Sequence, residues 1–300
     1  MYAIIGATGN TGRVIVSALL AQNEEVRVIG RNEERLQPLV QRGAEPFVAD
    51  ATDGAALARA FTGVRGAYVM IPPNATVPSY AAYVQRVVEA IGTALEEAGV
   101  PYVVALSSMG ADKESGTGPV VGLHHLEERI NRIPGTHALH LRPGYFMENF
   151  LEQVPVIRQF GIVGDSLRPD LGLPMIATRD IGSIASEHLL KLDFSGKQIR
   201  ELHGQRDVTM MEAARIIGKA VGKPDLAYAQ LPAEQIRAAL IQMGLSAELS
   251  DLLIEMSSAL NSGHMRALDT RSAANTTPTS FEQFVEEVFV PAFQGESRAA

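Results

Sequence analysis

Apolar residues recur along the chain in short runs, separated by longer amphipathic stretches. The first run begins at Tyr2 and ends at Gly6; others lie within residues 25–30, 44–50, 66–71, 100–108 and 137–141. Such runs are the pattern of strands buried on both faces of a parallel sheet. Between them, apolar positions return at helical spacing over 14–20, 33–41, 54–61, about 78–98 and 120–131. Strand and helix alternate throughout, which predicts an α/β fold with a Rossmann-like doubly wound parallel sheet. Pro72-Pro73 stops the fourth strand and fixes an extended exit.

The second half is less regular. Helices are predicted over 150–160, 179–192, 233–243, 247–261 and 281–293, with strands at 198–202 and 226–231. Thr209 with Glu212 three residues on forms a capping box, so another helix starts there. The glycine- and proline-rich segment 161–174 reads as a crossover, and the polar 109–119 stretch as a mobile flap. Ile236, Leu240, Leu252, Leu253 and Met256 recur at helical spacing and read as core, in preference to a wall for an apolar substrate. The tail from Glu296 to Ala300 is expected to be disordered.

The turn after the first strand carries chemistry. Gly6-Ala-Thr8-Gly9-Asn10-Thr11-Gly12 joins a strand to a helix with the glycine spacing that seats a dinucleotide pyrophosphate. Gly6 lets the chain leave the strand sharply, and Gly9 lets a phosphate approach the backbone. Gly12 lets helix and strand pack closely. The free N–H groups and positive end of the helix then face the anion. Thr8, Asn10 and Thr11 supply short polar side chains that can cap the helix or bond phosphate oxygens.

The end of the second strand lies beside the adenosine ribose in such folds. An acid there would bond a free 2′-hydroxyl, but this chain has Arg31, with Arg35 one turn on. A guanidinium suits a 2′-phosphate by charge and by its planar fork of donors, so NADP(H) is the expected cofactor. Asp50 ends the third strand, where residues flank the adenine; Asp53 reads as a helix cap. Ser107-Ser108 ends the fifth strand at the ligand crevice, where the hydroxyls either bond nicotinamide or substrate or merely cap the strand.

The net charge is −8, which argues against a nucleic-acid surface. With no cysteine, disulfides, thiolate metal sites and cysteine nucleophiles are all excluded. No metal is expected: His124 and Glu128 share a helix face, but one histidine and one carboxylate do not make a site. The first strand starts at once, leaving no room for a signal peptide, and no apolar run is long enough for a membrane span. A soluble cytoplasmic protein is the expectation, with no membrane or nucleic-acid partner and an open oligomeric state.

Three further features complete a pattern with the glycine turn and Arg31. These are Ser107-Ser108, the motif Leu141-Arg-Pro-Gly-Tyr-Phe-Met-Glu-Asn149, and the later Thr178-Arg-Asp180 and Glu201-Leu-His-Gly204 stretches. Together they resemble the NmrA-like group of atypical short-chain dehydrogenases/reductases over nearly the whole chain. The resemblance implies a Rossmann-like NADP-binding domain over about 1–155 and a smaller substrate-binding lobe over about 156–300, with crossings between them. It carries cofactor roles onto Gly6, Thr8, Gly9, Asn10, Thr11, Gly12 and Arg31, and onto Pro73, Asn74, Ser107, Pro143, Gly144 and Tyr145.

One departure bears on the chemistry. Reductases of the wider superfamily use a tyrosine and a lysine four residues later as proton donor. The seven tyrosines here are followed at that spacing by Gly6, Pro72, Val84, Val87, Leu106, Asn149 and Pro232. None is lysine, and Val120 and His124 stand where the resemblance would place the pair. Hydride addition to a simple ketone makes a basic alkoxide that needs an acid beside it. A quinone gives a phenolate, a much weaker base, and a conjugated cation needs no proton. The expected function is therefore an NADPH-dependent oxidoreductase acting on a conjugated apolar acceptor such as a quinone. His124 is the candidate proton source and Ser107 a candidate polar contact. The alternative is a non-catalytic NADP-binding redox sensor that docks a regulatory protein partner. A nucleotide-sugar epimerase ranks third, because it too would need the missing pair.

Overall fold

Seven parallel strands form one sheet in this computed structural model, which describes residues 1–295. The strands are β1 (Tyr2–Ile5), β2 (Val26–Gly30), β3 (Glu45–Val48), β4 (Gly66–Val69), β5 (Tyr102–Leu106), β6 (His137–Pro143) and β10 (Lys197–Leu202). Their order is β10-β6-β5-β4-β1-β2-β3, so the direction of winding reverses between β1 and β4. That reversal is where a doubly wound sheet opens its ligand crevice, beyond the carboxyl ends of the strands.

Helices cover both faces. On one lie α3 (Gly54–Phe61), α4 (Tyr80–Ala98) and α5 (Val121–Asn131), packed through Leu57, Phe61, Val87, Ile91, Leu95 and Leu126. On the other lie α1 (Asn10–Ala21), α2 (Glu33–Val40) and α7 (Thr178–Lys191), through Ile15, Leu19, Leu36, Ile181 and Leu189. Local chemistry sets the ends. Ser79 caps α4 by accepting from the Ala82 N–H, and Gly99 closes it at φ 61°. Asp53 caps α3 through the Ala56 N–H at 2.9 Å, the role its position suggested.

Residues 178–202 lie beyond the boundary drawn near 155, yet they complete the first sheet. Gly182 makes this possible: a Cβ there would sit 2.7 Å from the Val14 Cβ, so only glycine lets α7 cross α1 so closely. The remaining segments gather round a second core that includes Phe150, Ile217, Phe281 and Phe289. They are β7 (Tyr145–Phe146), α6 (Gln153–Phe160), β8 (Ile162–Asp165), β9 (Gly172–Ile176), β11 (Asp207–Thr209), α8 (Met210–Ala220), β12 (Ala227–Gln230), α9 (Ala233–Gln242), α10 (Ala247–Ser262), α11 (Phe281–Phe284) and α12 (Val290–Gln294). Strands β11, β9 and β7 make a small sheet, and β8 pairs with β12.

Several expectations are corrected. The first helix starts at Asn10, not Val14, because Gly9 is its N-cap. The 161–174 crossover contains strand β8 and the start of β9. The 109–119 stretch is no open flap: Met109, Ala111, Thr117 and Gly118 are buried. A Cβ on Gly118 would meet the Leu252 carbonyl at 2.0 Å, so this loop is clamped against α10. The last helix is interrupted by a π turn over Val285–Phe289 before Pro291, whose missing N–H and ring an unbroken α-helix cannot accommodate. The tail at 296–300 lies outside the described residues. Among those described, no helix is long and apolar enough to cross a membrane.

Candidate cofactor and acceptor site

The turn between β1 and α1 is built as its spacing predicted. Gly6 adopts φ +70° and its carbonyl accepts from the Gly9 N–H at 2.9 Å. A Cβ on Gly12 would lie 2.2 Å from that same carbonyl, so Gly12 acts by letting α1 close onto the turn. The Arg13 N–H returns to the Gly9 carbonyl. The N–H groups of Asn10, Thr11 and Gly12 have no acceptor among the described residues, and they form the positive end of α1.

A cleft of about 600 Å³ opens at this point. It is lined by Gly6, Thr8, Gly9, Arg31, Arg35, Asp50 and Pro73, among others. Seven expected residues thus converge. Arg31 and Arg35 are exposed, and neither guanidinium has a bonding partner among the described residues. Asp50 is held by the Thr52 N–H (2.9 Å) and hydroxyl (2.7 Å). Burial acts to raise its pKa, but these bonds and the charges of Arg31 and Arg86 outweigh it, so the pKa is lowered. At the floor, the Tyr83 hydroxyl donates to the Pro72 carbonyl at 2.8 Å, and burial pushes its pKa up to about 12.

Other expected residues are placed differently. Asn10 faces a smaller adjoining cleft of about 160 Å³, with Arg13, Glu148 and Arg179. The Thr11 hydroxyl points into the core, where it accepts from the Tyr68 hydroxyl at 2.9 Å; the residue is only 7% exposed. It does not offer its side chain to a phosphate. Pro143 and Gly144 are buried, and a Cβ on Gly144 would meet the Pro174 carbonyl at 2.1 Å. Their role is to let β6 pass close to β9.

Ser107 is 2% exposed, and its hydroxyl donates to Glu127 rather than into the crevice. Glu127 in turn holds Arg142 by two bonds, at 2.9 and 2.6 Å. Neither member of this buried ion pair was singled out from the sequence. His124 is also away from the cleft. Its Nδ1 lies 3.0 Å from the Ala111 carbonyl, and it lines a groove of about 870 Å³ between α4 and α5 with His125 and Glu128.

A second cavity, about 350 Å³, lies under the motif at 141–149. Tyr145 and Asn149 line it with Ile236, Leu240, Met243, Leu253 and Met256, while Glu152 and Asp165 supply its carboxyl groups. The helical apolar pattern of 233–261 thus marks a cavity wall as well as core; no residue of α9 is fully buried. The two spaces adjoin along one loop: Pro73 lines the cleft, Ala75 lines the cavity, and Asn74 is half-buried between them.

The class these features define is the Rossmann-type α/β proteins, with a phosphate-seating glycine turn at the switch point of the sheet. Within that class the chain belongs to the NmrA-like family, whose family model matches residues 2–285. It is 29% identical over 265 residues to quinone oxidoreductase 2 of Escherichia coli, covering 85% of this chain and 86% of that one. It is 27% identical over 261 residues to an NAD(P)H azoreductase of Xenophilus azovorans, again over 85% and 86%. Among solved structures, an NADPH-dependent quinone oxidoreductase from Escherichia coli in complex with NADPH superposes with a TM-score of 0.80. That match has 24% identity and covers 96% of this chain and all of the other.

Proposed function

We propose that this protein is an NADPH-dependent oxidoreductase that passes hydride to a conjugated, mostly apolar acceptor such as a quinone. The observation that carries this reading is the junction of two spaces with different functional groups. A cleft with three free helix N–H groups and two unpaired guanidiniums adjoins, through residues 73–75, a cavity walled largely by leucine, isoleucine and methionine. Relatives named as a quinone oxidoreductase and an azoreductase agree with it.

The residues fit the cofactor. Gly9 leaves room at the turn, since a Cβ there would meet only the Gly6 carbonyl, at 3.2 Å. The N–H groups of 10–12 would bond the pyrophosphate, and Arg31 with Arg35 the 2′-phosphate. When bound, the dihydronicotinamide supplies the hydride. The chain's own contribution is placement in a dry space. Tyr145 and the α9–α10 wall would hold a planar acceptor, and the Met243 and Met256 side chains adapt to its outline. A tyrosine–lysine pair is not the only acid that would serve, because a reduced quinone oxygen is a weak base and asks less of its proton donor than an alkoxide does.

Loss of NADPH absorbance with a panel of quinones tests the reading. Turnover is the expected result. NADPH binding without turnover of any acceptor would replace it with the redox-sensor reading.

A further inference from the structure

We propose that the Asp165 side chain, as a neutral carboxylic acid, is the proton donor to an acceptor held in the cavity under Tyr145. The inference rests on the oxidoreductase reading above and supplies the group that the missing tyrosine–lysine pair leaves open.

Asp165 ends β8, and its carboxyl lines the apolar cavity. One oxygen, Oδ1, is pinned by the backbone N–H groups of Ser166 (2.6 Å) and Leu167 (3.4 Å). The other, Oδ2, has no partner among the described residues. The lining contains a second carboxyl, Glu152, and no lysine, arginine or histidine. The groups around Asp165 are all neutral or acidic. Glu152 follows the motif turn, Tyr145 lies on β7, and Tyr228 on β12 donates to the Leu167 carbonyl at 2.6 Å. Nearby Arg168 is turned to Asp170 at the surface. A carboxylate with no counter-cation in an apolar space favours its protonated form. Burial accordingly raises the pKa of Asp165, and burial with the Asp165 charge raises that of Glu152. Burial also raises the pKa of Tyr145, so its phenol is a weaker acid than the neutral carboxyl beside it.

The step balances. Hydride from NADPH forms one new bond to the quinone and leaves NADP⁺. The acceptor oxygen that gains negative charge takes the Asp165 proton: an O–H bond forms, the carboxyl O–H bond breaks, and a carboxylate remains. The carboxylate regains its proton from solvent through the open cavity, whose lining includes the exposed Glu152. A conjugated cation takes the hydride alone and draws no proton.

Asp165→Asn keeps the acceptor for Ser166 and Leu167 but cannot give a proton. With a quinone, kcat should fall about 100-fold or more, with little change in acceptor KM. Wild-type kcat should fall as pH rises through the raised carboxyl value, and the variant should lose that dependence. Turnover of a triarylmethane cation should be retained. A second readout needs no cofactor. A raised folded pKa means stability is lost as pH rises through it, so the variant's melting temperature should exceed wild type above that range and converge below it. Unchanged quinone turnover by the variant, equal loss with both acceptors, or no pH-dependent stability difference would each overturn the assignment. Absence of wild-type turnover with every acceptor would instead overturn the oxidoreductase reading, and this step with it.

Discussion

Arg142→Met tests the buried ion pair that ties α5 to β6, with the Ser107 hydroxyl at the end of β5 bonded to its carboxylate. Glu127 and Arg142 are 4% and 7% exposed, and the guanidinium makes two bonds to the carboxylate. Despite burial, these contacts raise the Arg142 pKa, so it stays charged. Removing the arginine leaves a buried carboxylate with only the Ser107 hydroxyl, at a cost of about 3–5 kcal/mol. A chain of 300 residues has an unfolding entropy of about 0.6 kcal/mol/K at roughly 2.1 cal/mol/K per residue. The melting temperature should therefore fall by about 5–8 °C. Glu127→Leu together with Arg142→Met removes both charges and should recover most of that loss. Calorimetry of the two single variants and the double gives the coupling. A single-variant cost below about 1 kcal/mol, or a double variant as unstable as the sum of its parts, would refute the argument. Because Arg142 precedes Pro143-Gly144-Tyr145, the single variant should also raise acceptor KM more than it weakens NADPH binding.

Arg31→Ala should lower the preference for NADPH over NADH about tenfold or more, the worth of one charged hydrogen bond of about 1.5–3 kcal/mol. An unchanged preference in calorimetry would remove Arg31 from the site. Gly12→Ala places a Cβ 2.2 Å from the Gly6 carbonyl, so the turn must shift and NADPH affinity should fall at least about tenfold by fluorescence titration. His124→Ala should leave quinone kcat within about twofold of wild type. A loss of about 100-fold, typical of a missing general acid, would restore the proton-source role to that histidine.

The legible parts of this chain are those whose cause is local. The strands read from short apolar runs and the glycine turn from its spacing, and the position of Arg31 at the end of β2 places it in the cleft. What failed was side-chain direction and long-range packing. Thr11 and Ser107 have the right chemistry for a ligand, but Tyr68 and Glu127 claim their hydroxyls from elsewhere in the fold. The 109–119 loop has flap-like composition. Its glycines are needed because Met265 and Leu252, 155 and 134 residues on, press against Gly110 and Gly118 respectively. The apolar stripe of 233–261 reports that a face is covered without saying by what. Asp165 and Glu152 carried no spacing signal at all; only folding brings them to one cavity.

On the proposed reading, the chemistry of that cavity narrows the acceptor. Two carboxyl groups and no cation make it hostile to anions, so an acidic substrate would meet repulsion once either carboxyl ionised. Its wall of leucine, isoleucine and methionine rewards flat apolar surface, at about 25 cal/mol for each Å² withdrawn from water. A sugar nucleotide would find polar partners only in Tyr145, Asn149, Gln153, Ser257 and the two carboxyls, and each buried group left unpaired costs about 1–3 kcal/mol. A simple ketone fits the wall better but is a poorer hydride acceptor than a quinone, whose ring becomes aromatic on reduction. A quinone satisfies both conditions, since it is flat and apolar on entry and gains an aromatic ring when the hydride and proton arrive. Neutral quinones should therefore surpass aliphatic ketones in kcat and carboxylated quinones in KM. That ordering comes from the wall and the two acids together, and either alone would give a different one.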